Sequence, residues 1–190
     1  MLRIIVSQIE SMKKIVSIFL LLLLIVAPLR SYAHTFPEAT DSAKIDYFLP
    51  YPGMLPGSTL YPLKALRDRI IEFFISDPGK KAEFYILQAD KRINAGVMLL
   101  EKGEGGLSET TVSKAEKYLE RALNESERYK NKGRNVYWIL GNIDKSIREH
   151  HEILHDLVDK SEGDLAKKYS QSLELNNKLL ERVIKLRASE

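Results

Sequence analysis

Residues 51–83 read YPGMLPGSTLYPLKALRDRIIEFFISDPGKKAE, and the fold turns on how this stretch is divided. Pro50, Pro52, Gly53, Pro56 and Gly57 force turns or an extended path, because proline has no N–H to donate and glycine accepts positive φ. Ser58 then offers an N-cap, and Pro62 falls in a first turn where a missing N–H costs nothing. Leu63, Leu66, Ile70, Phe73 and Phe74 recur at helical spacing. That helix must stop at Ser76, since the residue before the Asp77-Pro78 pair is followed by a new cap and a new first-turn proline. The short segment is the most hydrophobic helix of the chain. It is therefore expected to supply apolar surface to the helices that follow.

Working outward, every later segment has a helical period and none alternates with period two, so no strand is expected. Ala82, Ile86, Ala89, Ile93, Val97 and Leu100 line one helix, which ends at a glycine-rich loop spanning Lys102 to Gly106. Ser108 is read as the cap of the next, with Val112, Ala115, Leu119 and Ala122 inward and Gly133 as its C-terminal stop. The charges from Glu116 to Arg121 read as a solvated face. Asn135 caps a fourth helix carrying Ile139, Ile143, Ile147, Leu154 and Leu157, with Tyr137 and Trp138 expected to pack at its start. After the turn at residues 161–164, Leu165, Tyr169, Leu173, Leu180 and Ile184 line a fifth, with Asn176 on its apolar stripe. The connections are short, which sets successive helices antiparallel. The expectation is all-α: an antiparallel bundle of four long helices plus one short hydrophobic N-terminal helix over 51–190.

Before that domain, Met12-Lys13-Lys14, an apolar run from Ile15 to Leu29 and Ser31-Tyr32-Ala33 have the layout of a secretory signal peptide over 1–33, with translation starting at Met1 or Met12. The apolar run is short of the roughly 20 residues of a membrane span, so cleavage is preferred to retention as an anchor. Residues 34–50 read as a linker or disordered tail. Cleavage would remove Arg3, Lys13, Lys14 and Arg30 against Glu10, taking the net charge from +3 to zero. With Lys and Arg alternating with Glu and Asp, no stripe tracks phosphates, so nucleic-acid binding is not expected. The absence of cysteine removes disulfides, thiolate metal sites, a cysteine nucleophile and a lipoprotein anchor.

Leu55-Pro56-Gly57, Tyr61-Pro62-Leu63-Lys64 and Asp77-Pro78 with Lys80-Lys81-Ala82-Glu83 resemble an uncharacterised domain-of-unknown-function family of exported prokaryotic helical proteins. A His-x-x-x-Leu segment in the fourth helix, His150 to Leu154, is also similar to its members. The resemblance runs from about Pro50 to the C-terminus. It implies an extracytoplasmic location and a helical fold, and it implies no catalysis.

One motif points elsewhere. His151-Glu152-Ile153-Leu154-His155 is an H-E-x-x-H on a helix, a spacing that sets two imidazoles on one face for zinc with Glu152 as a base. Glu174, opposite His151 across the last hairpin, is the candidate third ligand. Against a zinc hydrolase, His150 sits within the apolar stripe between Ile147 and Leu154 whereas His151 and His155 lie on its edge, no strand is present to align a substrate, and Glu174 lacks the sequence context of such enzymes. Histidines along a solvated helix flank are the simpler reading. The preferred function is therefore a secreted or extracytoplasmic, non-enzymatic bundle that contacts an unknown protein or envelope partner. No cofactor is implied. A zinc-dependent hydrolase and a carrier of a small apolar ligand are the alternatives.

Overall fold

The computed structural model describes residues 47–189; the signal-peptide and linker readings fall almost wholly outside them. The described residues hold five helices and no strand: α1 (Tyr61–Phe74), α2 (Pro78–Glu101), α3 (Gly105–Lys130), α4 (Tyr137–Asp159) and α5 (Gly163–Ala188). α2 packs most extensively on α3 and α4 on α5, while the pairs α3–α5 and α2–α4 close an antiparallel bundle. Among the long helices α2 and α5 meet least, so the order around the bundle is α2, α3, α5, α4. None of the described helices is long and apolar enough to cross a membrane.

The local signals act largely as their chemistry dictates. Asp77 accepts from the Lys80 N–H at 2.9 Å with Pro78 in the first turn of α2. Gly133, at φ 72°, takes the backbone past the end of α3 and donates to the Lys130 carbonyl. The Asn135 side chain accepts from the Tyr137 N–H where α4 begins. Two assigned caps differ. Ser58 sits in a turn before α1, which opens at Tyr61 with Leu60 preceding it and no side-chain cap. Ser108 lies inside the first turn of α3, where its buried hydroxyl donates to the Gly96 carbonyl at 2.6 Å and meets the Tyr169 hydroxyl. A hydroxyl with two interhelical partners is worth more there than as a cap.

The apolar core forms two clusters. One gathers Ile86, Leu119, Leu123, Ile139, Leu140 and Ile143 with their neighbours. The other gathers Ile93, Val112, Ala115, Leu154, Leu157 and Tyr169. Where α2 crosses α3, Gly96 is pressed so close that an added Cβ would stand 2.3 Å from Val112 Cγ2. Only glycine permits that approach.

The clearest departure from expectation is α1. Its one buried residue is Asp68, while Leu63, Leu66, Phe73 and Phe74 are 65%, 56%, 81% and 76% exposed. The residues that face the bundle are Tyr61, Lys64, Asp68, Glu72 and Ile75, a mostly polar stripe at three- and four-residue steps. The helix backbone stays off the four long helices. Instead of completing the core, α1 lies on it by its polar edge and turns its oily side outward.

The arm before α1 lies against the bundle through Tyr47, Leu49 and Pro50. Phe48 and Tyr51 are exposed. Leu49 packs on the second cluster, the Tyr47 hydroxyl donates to Asp90, and Asn94 donates to the Pro50 carbonyl. Tyr137 and Trp138 are likewise 61% and 44% exposed rather than packed in the core. Arg187 lies over the Tyr137 ring.

Candidate functional site

Two features of the molecule are out of the ordinary for a helical bundle. The first is a layer of polar groups between the two apolar clusters. Asp90 on α2, Glu116 on α3, Ser146 and His150 on α4 and Asn176 on α5 are all buried, and His150, Glu116 and Asn176 are completely so. Each sits at a core spacing of its helix: Asp90 between Ile86 and Ile93, Glu116 between Val112 and Leu119, His150 between Ile147 and Leu154.

His150 joins the layer. Its Nδ1 stands 2.7 Å from Glu116 Oε1 and its Nε2 3.2 Å from Asp90 Oδ1. Burial pulls its proton affinity down, but the charge of Glu116 and the hydrogen bonds to Asp90 and Glu116 outweigh that and push the pKa up to about 9. Both ring nitrogens then carry protons and donate. Ser146 donates to Asp90 Oδ1 at 2.5 Å and the Tyr47 hydroxyl to Asp90 Oδ2 at 2.6 Å. Burial, then the Asp90 charge, raise the Tyr47 phenol far above its ordinary value, so it remains a neutral donor. Asn176 donates to Glu116 Oε2 and to the Ile147 carbonyl, leaving its own Oδ1 as a buried acceptor without a protein partner.

Glu116 does not belong to the solvated face that begins at Lys117, which corrects that reading, and His150, on the apolar stripe as its spacing indicated, is not grouped with His151 and His155 on a solvated flank. Every charge in the layer is met by another protein group, and the histidine has no solvent contact. The chemistry of the layer is that of a clamp joining four helices.

The second feature is the outer face of α1 and the open groove of about 880 Å³ beside it. Pro62, Ala65, Leu66 and Phe73 form one wall, while Lys81, Lys114, Lys117 and Arg121 rise from α2 and α3 on the other. The Tyr85 hydroxyl donates to Glu72 at 2.7 Å and Arg121 approaches the same carboxylate at 3.8 Å, tying α1 down. At the other end Lys64 donates to the Pro52 and Met54 carbonyls, tying α1 to the arm that precedes it.

The H-E-x-x-H residues lie apart from both. His151 is half-buried and His155 exposed, with ring centroids 4.8 Å apart. Glu174 is taken by Lys178 in an exposed ion pair at 2.7 Å, which holds its carboxyl below the usual range. Among the described residues no group of three or more His, Asp or Glu side chains is arranged to hold a metal ion. The third ligand suggested by folding the hairpin is thus not delivered.

Residues 53–186 match a family described as DUF5667, domain of unknown function. No curated protein and no solved structure matches the chain.

Proposed function

We propose, for a chain that belongs to the DUF5667 family of domains of unknown function, an exported bundle that does no catalysis and acts by contact with a protein or the cell envelope. The observation that supports this reading is the outward face of α1. Four large apolar side chains more than half exposed on one 14-residue helix are costly to leave in water unless something covers them. The bundle itself has no use for that surface, because its two apolar clusters are built from the long helices. The buried histidine, His150, is spent on Asp90 and Glu116 inside the core.

The test uses the absence of cysteine. Phe73→Cys in the whole chain gives a single thiol on the α1 face, and Ser170→Cys a control on exposed α5. A membrane-impermeant maleimide should label both thiols in the purified protein. In intact producing cells it should label position 170 but spare position 73. Equal labelling of both in cells would end the contact reading; labelling of neither would end the extracytoplasmic one.

A further inference from the structure

We infer that α1 and its cationic groove seat this protein on the surface of an anionic lipid bilayer, with α1 lying in the plane of the interface; the inference rests on the contact reading above and names its occupant. α1 has 14 residues, a length of about 21 Å, too short to span a hydrocarbon core but suited to lying along one. Its exposed side chains are mostly Leu, Ile and Phe, with Arg67 and Arg69 among them, and its docked edge is polar. That is the division an interfacial helix needs, with the bundle in the place of water behind it.

Charge identifies the surface. The groove walls carry Arg69, Lys81, Arg92, Lys114, Lys117 and Arg121 against only Asp68 and Glu72. Both acids are engaged, Asp68 by Arg67 and Glu72 by Tyr85 and Arg121. Arg92 and Arg121 lie over the Tyr118 ring. Arg69, Lys81, Lys114 and Lys117 enter no ion pair among the described residues. An apolar strip bordered by cations of one sign matches acyl chains bordered by anionic headgroups.

The competing occupants match less well. A second copy docked face to face would bring this cationic rim against itself across the two-fold axis. The chain's own residues 1–33 offer an apolar run but four basic side chains against one acidic, so they bring the wrong charge.

A spin label on Phe73→Cys reads the α1 face directly, whatever else holds the full chain to a membrane. It is read with vesicles of phosphatidylcholine alone and of equal parts phosphatidylcholine and phosphatidylglycerol. With the anionic vesicles the label should become accessible to oxygen and protected from a water-soluble nickel chelate, while one at Ser170→Cys stays accessible to both. The Lys81→Gln, Lys114→Gln, Lys117→Gln combination should weaken that insertion on the order of a hundredfold, at about fivefold per charge. All three side chains are solvent-facing or half-buried, so helix content should be unchanged.

Equal insertion into neutral vesicles, or insertion indifferent to the lysine changes, would overturn the anionic assignment. A label immobilised and shielded from both reagents without vesicles, at rising protein concentration, would assign the face to a second copy. A label still exposed to both reagents beside anionic vesicles, yet protected in cells, would assign it to a protein partner. In those last two cases the contact reading survives and the bilayer does not.

Discussion

His150 shows what a single residue does for this bundle. An imidazolium with no solvent contact holds a carboxylate from α2 and another from α3, so three helices meet at one ring. Its pKa of about 9 lies above the ordinary 6.5. A raised histidine contributes stability that is complete below the unfolded value and is lost as pH rises through the folded one. Unfolding in urea should therefore need progressively less denaturant from about pH 6.5 to above pH 9, the loss approaching about 3 kcal/mol. A midpoint that is flat or rising over that window would show the ring to be neutral. His150→Leu leaves Asp90 and Glu116 buried without a cation and should cost about 3–5 kcal/mol at neutral pH. Adding Asp90→Asn and Glu116→Gln to it should recover part of that loss. Asn176 and His150 were legible in the sequence as polar residues on apolar stripes. Asp90 and Glu116 carried the same mark, three or four residues from core positions on either side, but charged neighbours such as Lys91 and Lys117 hid them. A carboxylate at a core spacing reads as a solvated edge until its cation is found on another helix.

At the scale of elements, α2 and α3 are the tightest pair, and Gly96 is the reason they can be. Gly96→Ala raises helix propensity but drives a methyl into Val112, so a net destabilisation of about 1–3 kcal/mol should appear in thermal unfolding. Gly96→Ala with Val112→Ala should recover part of it. Gly96 could not be singled out from sequence, because a glycine inside a helical pattern says nothing of which neighbour it admits. α1 is the opposite case. Its existence, its proline at the first turn and its stop before Asp77 were readable, whereas its orientation was not. Amphipathic spacing shows that a helix has an oily side and a polar side; it does not show which one meets the protein. Here the Glu72 contacts with Tyr85 and Arg121 settle it. Tyr85→Phe should therefore speed amide hydrogen exchange in α1 while global stability changes by about 1 kcal/mol or less. Unchanged exchange would mean that other contacts hold the helix.

Taken as a whole, the molecule separates what holds it together from what it offers to its surroundings. Four long helices enclose two apolar clusters and a charge-paired polar layer between them. A fifth, short helix is tied outside by hydrogen bonds and an ion pair. The all-α class and the helix order were accessible from periodicity and short connections, because those depend on local spacing. The polar layer and the outward α1 depend on pairings across more than 30 residues for the His150 contacts, which spacing does not encode. The most direct measurement is equilibrium urea unfolding of the Leu63→Ser, Phe73→Ser, Phe74→Ser triple variant. Solvent-facing positions that contribute nothing to the core should leave its stability within about 0.5 kcal/mol of the parent for each change. A loss of about 3 kcal/mol or more per phenylalanine, the cost of emptying a core site, would place α1 inside the bundle and contradict the account.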